Sequence, residues 1–209
     1  YLTGLTLGGE RVLILIDGSA SMLSDTLVNV NIRRDMDDIE KQKSAKWQWS
    51  LRTLEWLLAQ LPPSSRFQVY VFNEEAKAML AGTEGEWLDA SDSLALERVM
   101  TSTKTFVPSA GTNLSKAIDT LSEFDSKPDN LFILTDGLPS LGGAPSKKFN
   151  VTGRQRRQHF EVAIAKLPRG IPVNTILFPM EGDPEAAALF WQLALDTKGA
   201  FIAPSRDWP

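Results

Sequence analysis

RVLILIDGSAS, Arg11–Ser21, is the stretch that decides the fold. A short and almost wholly apolar run ends at Asp17, and a glycine and two alternating serines follow at once. Apolar runs of this length, bounded by glycine and polar residues, are typical of strands that are buried on both faces in parallel sheets. The stretch therefore predicts a central strand that ends in a row of oxygen-bearing side chains. Two interpretations of that row are open: a turn that caps the next helix, or a set of hard ligands for a divalent cation.

Similar apolar runs recur along the chain and predict further strands. They are Phe67–Phe72, Asn130–Thr135, Pro172–Phe178 and Ala200–Pro204. Amphipathic segments with apolar residues at helical spacing lie at 46–63, 113–124, 156–168 and 184–199. Strands that alternate with helices indicate βαβ crossovers. We therefore expect an α/β fold with a doubly wound, mainly parallel central sheet, helices on both faces and one antiparallel edge strand within 75–90.

The bulk composition limits the classes of function. The chain has 209 residues, 43% of them hydrophobic, and a formal net charge of -4, which gives no support for a nucleic-acid partner. It contains no cysteine, which excludes disulfides, zinc-thiolate sites and cysteine nucleophiles. No apolar run approaches the roughly 20 residues that cross a bilayer. Because the chain begins at Tyr1 rather than Met, we expect it to be a fragment, with membrane contact only through segments outside it.

We expect a single domain over residues 1–209, with its core at about 11–204, because no repeat or low-complexity linker interrupts the chain. Two segments have the character of insertions: 24–46 is densely charged, and 140–157 is polar and locally basic. Both follow predicted strands, at the edge where open α/β sheets bind ligands. Each is either a solvated loop or part of a partner-binding surface.

Three loops near the carboxyl ends of the predicted strands carry oxygen-bearing side chains. Their candidate ligands are Asp17, Ser19 and Ser21 after the first strand, Thr112 before the helix at 113–124, and Asp136 after the strand Asn130–Thr135. Carboxylate and hydroxyl oxygens without sulfur or histidine suit a small hard cation. The sequence therefore predicts a site for Mg²⁺ or Mn²⁺, with Ca²⁺ less favoured.

With these residues in this order, the sequence resembles the von Willebrand factor A (VWA) family. The D-x-S-x-S motif of the family matches DGSAS at Asp17, Ser19 and Ser21, its distant threonine matches Thr112 in AGTN, and its second aspartate matches Asp136 in LTDG. In that family the three parts form the metal-ion-dependent adhesion site (MIDAS). The resemblance spans about 11–204 and implies the Rossmann-like VWA fold. The chain departs from the family in the long insertion after Ser21.

The resemblance also implies a role for each residue. Ser19 and Ser21 would bind the metal directly, Thr112 directly or through water, and Asp17 and Asp136 often through water. The remaining coordination position would accept an Asp or Glu carboxylate from a partner protein. We expect that partner to be a surface or envelope protein or an AAA+ ATPase, in bacterial adhesion or assembly. An extracytoplasmic or membrane-anchored setting is slightly favoured over the cytoplasm.

The alternative is an enzyme, a metal-dependent hydrolase or phosphatase that uses Asp17. Haloacid-dehalogenase-like phosphatases place an aspartate in this way, but they need a second acidic residue two positions on, where this chain has Ser19. No P-loop and no G-x-S-x-G elbow is present, and the single histidine, His159, lies in a polar helical segment. The sequence therefore favours a binding module without enzymatic activity.

Overall fold

A computed structural model describes residues 5, 8–142 and 151–208. A sheet of seven strands forms the centre of this described part of the chain. The strands are β1 (Arg11–Asp17), β2 (Arg66–Phe72), β3 (Ala76–Ala78), β4 (Leu88–Asp89), β5 (Asn130–Thr135), β6 (Val173–Leu177) and β7 (Phe201–Ile202). Their order is β3-β2-β1-β5-β6-β7, and β4 also pairs with β2. The pairs among β2, β1, β5, β6 and β7 are parallel, whereas β3 and β4 run antiparallel to β2. The predicted fold class is confirmed, with two short antiparallel strands where one was expected.

The helices cover both faces of the sheet. They are α1 (Leu27–Arg33), α2 (Asp38–Gln42), α3 (Ala45–Ala59), α4 (Ser93–Thr105), α5 (Leu114–Asp119), α6 (Gly153–Ile164) and α7 (Ala186–Thr197). Short 3₁₀ turns lie at Ala20–Leu23 and Thr120–Ser122. Side chains that alternate along β1 divide between two cores: Val12, Ile14 and Ile16 pack on the side of α3 and α4, and Leu13 and Leu15 on the side of α5, α6 and α7. This two-sided burial explains why β1 is apolar at consecutive positions.

Two helical regions differ from the sequence expectation. Helix α4 was not anticipated, because its apolar residues are diluted by serine and threonine, yet Asp92 caps its first turn and Val99 and Met100 are buried. The insertion at 24–46 is helical rather than an irregular loop. Thr26 and Asp37 cap α1 and α2 through hydrogen bonds to the amides of Asn29 and Glu40. Residues 143–150 of the other predicted insertion lie outside the described residues.

Strand β1 lies at the point where the direction of winding reverses. From β1 the chain passes to β2 on one side, and it later returns to β5 on the other side of β1. The loops that follow β1 and β5 therefore diverge to opposite faces and leave a crevice at the carboxyl ends of these strands. Asp17 ends β1, and Asp136 directly follows β5, so both residues lie at this crevice.

Candidate metal site

Asp17 is held in place through both oxygens of its carboxylate. The side chain is fully buried, Oδ1 accepts a hydrogen bond from the amide of Ser19 at 2.9 Å, and Oδ2 accepts one from Thr135 Oγ1 at 2.7 Å. The first bond closes the turn after β1, and the second ties β1 to β5. Asp17 thus organises the loop that follows it as well as contributing its charge.

The two serines continue from Asp17 towards Asp136. Ser19 Oγ and Ser21 Oγ lie 2.9 Å apart, and Ser21 Oγ donates to Asp136 Oδ1 at 2.9 Å. Because a serine has only one hydroxyl proton, Ser19 must be the donor to Ser21. Four of the five predicted ligands therefore form one hydrogen-bonded row across the crevice. Ser19 and Asp136 are buried, whereas Ser21 is partly exposed.

Thr112 lies beside this row in a loop that is fixed by main-chain contacts. Ala110, which has a left-handed backbone with φ of 64°, accepts a hydrogen bond through its carbonyl from the amide of Ala20 at 3.0 Å. The amide of Thr112 donates to Ser140 Oγ at 2.9 Å, and its carbonyl accepts from the amide of Leu141 at 2.9 Å. The Thr112 loop is thus bonded to the loops that carry the other candidates. No hydrogen bond joins the Thr112 hydroxyl to the row within the described residues.

The sequence interpretation missed a cation in the site. Lys46, in the first turn of α3, is buried, and its Nζ donates to Asp136 Oδ2 at 2.6 Å. The same ammonium donates to the main-chain carbonyls of Ser21 at 3.1 Å and Ser24 at 3.0 Å. A signal was present in the sequence, because Lys46 lies three residues before Trp49, which belongs to the apolar stripe of this helical segment.

Burial and a like charge dominate the electrostatics of the row. Burial, followed by the negative charge of Asp136, raises the pKa of Asp17 from its ordinary value of 3.8 to about 7. The hydrogen bonds from Thr135 and Ser19 oppose this shift without cancelling it. The ammonium of Lys46 is bonded to Asp136, and the formal charge of Asp17, Asp136 and Lys46 together is one negative when both carboxyl groups are ionised.

The donor chemistry fits a hard divalent cation. No group of three or more acidic, histidine or cysteine side chains that could hold a metal lies within the described residues. The candidate set instead has two carboxylates and three hydroxyls, which are oxygen donors of the kind that Mg²⁺ and Mn²⁺ accept. With both carboxyl groups ionised, Asp17, Asp136 and Lys46 together carry one net negative charge, which a cation would offset. These two observations make the row suitable for a divalent cation.

A third acidic side chain, which the sequence interpretation did not single out, supports the loop after Asp136. Asp183 Oδ2 accepts from the amide of Leu138 at 2.6 Å and lies 2.9 Å from an Arg156 guanidinium nitrogen. Burial raises the pKa of Asp183, and the charge of Asp136 adds to the shift, whereas the Leu138 amide and Arg156 lower it. Asp183 and Arg156 therefore anchor the loop that positions Asp136.

The insertion at 24–46 carries exposed apolar side chains. Leu27, Val28 and Ile32 of α1 and Ile39 of α2 are each more than half exposed. Because Ser24 is bonded to Lys46 and α1 begins three residues later, the start of α1 adjoins the candidate site. The insertion at 24–46, which is rich in charged residues, therefore also exposes apolar side chains.

Solved structures with a similar fold include proteins that carry the VWA name. A von Willebrand factor type A structure from Catenulispora acidiphila matches 94% of the chain with a TM-score of 0.59 and 16% identity, and the chain spans 39% of that protein. The ArnB paralog VWA2 from Sulfolobus acidocaldarius matches 93% of the chain with a TM-score of 0.53 and 17% identity, over 40% of its own length. An aerotolerance-related membrane protein from Bacteroides fragilis, with multiple mutations to serines, matches 94% with a TM-score of 0.53 and 17% identity, over 92% of its own length.

These likenesses show the fold alone, since all three identities are below 20%. No protein-family model and no curated protein matches the sequence. The chain therefore has a VWA-like fold, as its motif predicted. Within the described residues, no helix has both the length and the apolar character needed to cross a bilayer.

Proposed function

We propose that the chain is a metal-dependent protein-interaction module. One Mg²⁺ or Mn²⁺ ion is held by Asp17, Ser19, Ser21, Thr112 and Asp136, and a partner protein supplies an Asp or Glu carboxylate to the remaining position. The observation that carries this proposal is the hydrogen-bonded row from Asp17 to Asp136 at the crevice of the sheet. When bound, the metal would act as a Lewis acid that attracts the carboxylate of the partner.

The burial of Asp17 favours binding over hydrolysis. A nucleophilic aspartate must present an oxygen to its substrate, but Asp17 is fully buried and both of its oxygens accept hydrogen bonds. Ser21 is the most exposed member of the row, and its hydroxyl proton is directed to Asp136. These contacts suit groups that hold a cation rather than groups that attack a substrate.

We assign the exposed side chains of α1 and α2 to the same partner contact. A metal-bound carboxylate gives one anchoring interaction, whereas the exposed side chains of Val28, Ile32 and Ile39 offer apolar contact area. The partner we propose is a surface or envelope protein, with an AAA+ ATPase as the second class. The proposed setting is extracytoplasmic or membrane-anchored, which is supported by the likeness to a protein described as an aerotolerance-related membrane protein.

Metal binding is tested with Mn²⁺ alone, by calorimetry and thermal unfolding. If the Kd is about 1 mM, about 10 mM metal stabilises the fold by roughly 1.4 kcal/mol. For a domain of this size, that stabilisation raises the Tm by a few degrees. Asp17→Asn abolishes the rise, whereas Asp125→Asn, a change at an exposed residue before β5, leaves it intact. An unchanged Tm and no binding heat for the wild type would mean that the row is only a turn.

Carboxylate binding is tested with acetate as the probe. Acetate that binds the protein-held Mn²⁺ experiences strong paramagnetic relaxation of its methyl protons. We expect the wild type and Asp125→Asn to enhance this relaxation above the level given by the same concentration of free Mn²⁺, and Asp17→Asn to give no enhancement; excess EDTA should remove it. If Mn²⁺ binds but the acetate signal is the same with and without protein, the metal does not act as a bridge to a partner.

A further inference from the structure

Lys46 is a buried ammonium whose hydrogen-bonding capacity is fully used. Its side chain is 2% exposed, and its Nζ donates to one carboxylate oxygen, Asp136 Oδ2, and to the carbonyls of Ser21 and Ser24. The Nζ also lies 3.6 Å from the sulfur of Met180, so three oxygen acceptors and one weaker sulfur acceptor surround the three protons of the ammonium group. An exposed ion pair contributes little, but a buried pair is costly to break because the remaining charge is left without a partner. The lysine is therefore a fixed part of the site.

The two oxygens of Asp136 accept hydrogen bonds from different donors. Oδ2 is bound to the ammonium, and Oδ1 accepts from Ser21 within the row of candidate ligands. A cation held by the row must therefore share Asp136 with a positive charge that is already in contact with it. Two like charges in a buried site repel one another more strongly than they would in water.

The geometry points to Lys46 as a built-in counter-cation that limits the affinity of the site for metal and leaves the metal-loaded site with a net positive charge. This inference rests on the proposed function for its metal. Asp17 and Asp136 contribute two negative charges, Lys46 one positive charge, and a divalent cation two more. The sum is one positive charge with Lys46 and zero without it. A site with net positive charge attracts a carboxylate. Lys46 therefore weakens the binding of the metal and strengthens the attraction of the partner carboxylate to the metal-loaded site.

The test removes the charge of Lys46 and measures Mn²⁺ binding by calorimetry at pH 8 and low ionic strength. Lys46→Met has a side chain of similar length without charge, and Lys46→Gln keeps an amide donor for Asp136. The matched control is Lys166→Met, which removes the same charge from an exposed pair with Asp119. We expect both Lys46 variants to bind Mn²⁺ about tenfold or more tightly than the wild type, whereas Lys166→Met binds it with unchanged affinity.

Thermal unfolding supplies a second readout that separates this role from simple structural support. In EDTA, Lys46→Met melts at a lower temperature because Asp136 is left buried without its ion partner. Mn²⁺ then raises the Tm of this variant more than that of the wild type. Where Lys46→Met does not fold in EDTA, Lys46→Gln decides the question. A lower Tm in EDTA without tighter Mn²⁺ binding by either variant overturns the inference.

The outcomes also distinguish this inference from the proposed function. If the wild type binds Mn²⁺ and no folded Lys46 variant binds it more tightly, the inferred role of Lys46 is wrong and the proposed metal site stands. If only the Lys46 variants bind Mn²⁺, the lysine has the inferred effect and the natural chain is not metal-dependent. If neither wild type nor variants bind Mn²⁺, both proposals are wrong.

Discussion

Thr135 donates a hydrogen bond from Oγ1 to Oδ2 of Asp17 over 2.7 Å, at the carboxyl ends of β5 and β1. Both side chains are buried, so water does not replace this bond if it is lost. The contact stabilises the ionised form of Asp17 against the cost of burial. It therefore connects the stability of the sheet with the charge state of the candidate site.

Replacing Thr135 with valine removes this bond while it keeps the shape of the side chain. We expect Thr135→Val to lower the free energy of unfolding by about 1–3 kcal/mol, because a buried carboxylate loses a donor. The matched control is Thr175→Val on β6, since Thr175 Oγ1 is buried and has no hydrogen-bond partner among the described residues. That control is neutral or stabilising. Urea unfolding compares the two variants, and equal losses would contradict the role of the Thr135 bond.

The stability of the metal-free protein depends on the ionisation of Asp17. Its pKa of about 7 in the folded protein lies above the ordinary value of 3.8, so the folded state binds the proton more tightly than the unfolded chain does. The resulting contribution is fully present below about pH 4 and is lost as the pH rises through 7. In EDTA, the wild type should lose more free energy of unfolding between pH 4 and pH 8 than Asp17→Asn does. Identical slopes for the two proteins would show that Asp17 titrates normally.

Bound metal would favour the deprotonated form of Asp17. A cation binds the deprotonated carboxylate, so Mn²⁺ and the proton compete for the site. We expect the Mn²⁺ affinity, measured by calorimetry, to fall steadily as the pH is lowered from 8 to 5. An affinity that is constant over this range would exclude Asp17 as a ligand or as a close neighbour of the ion.

Ser21 tests the hydroxyl part of the row. Ser21→Ala removes the central oxygen between Ser19 and Asp136, and we expect it to weaken Mn²⁺ binding about tenfold or more. Because Ser21 is partly exposed, the free energy of unfolding in EDTA falls by only about 1 kcal/mol. Ser122→Ala removes an exposed hydroxyl after α5 and serves as the control for calorimetry and urea unfolding. Equal Mn²⁺ affinities for the two variants would remove Ser21 from the ligand set.

Thr112 tests whether the neighbouring loop supplies a ligand. Its main chain forms the contacts with Ser140 and Leu141, so Thr112→Ala leaves the loop in place and removes only the hydroxyl. We expect weaker Mn²⁺ binding and weaker acetate relaxation, with little change in the Tm in EDTA. Thr101→Ala, at an exposed position of α4, is the control. Wild-type Mn²⁺ and acetate binding by Thr112→Ala would assign this threonine to the loop alone.

Gly18 allows the loop after β1 to lie close against the core. A Cβ atom at this position would lie 2.5 Å from Phe106 Cε1 and 2.6 Å from Val71 Cγ2. We expect Gly18→Ala to lower the free energy of unfolding by about 1–3 kcal/mol and to weaken Mn²⁺ binding by displacing the serines. Gly153→Ala at the start of α6 is the control, because no atom of another described part of the chain lies within 4 Å of its added Cβ. Urea unfolding that shows equal stability for both variants would contradict this packing argument.

The strands of the parallel sheet could be predicted because each one corresponds to a short apolar run in the sequence. β1 and β5 are apolar at consecutive positions, and the polar residues that follow them mark their ends. The same patterns put Asp17 and Asp136 at strand ends, which is where the structure has them. Helix α4 was missed because its local pattern is weak, and its burial comes from packing that no short window of sequence contains.

The sequence by itself determined the α/β alternation and the order of oxygen-bearing residues at the ends of the strands, because both follow from the spacing of neighbouring residues. Only the tertiary structure decided that Lys46 lies 2.6 Å from Asp136, a residue 90 positions further along the chain. The raised pKa of Asp17 has the same origin, since it depends on burial and on the charge of Asp136. Charges interact through distance and the surrounding dielectric, and the fold sets both.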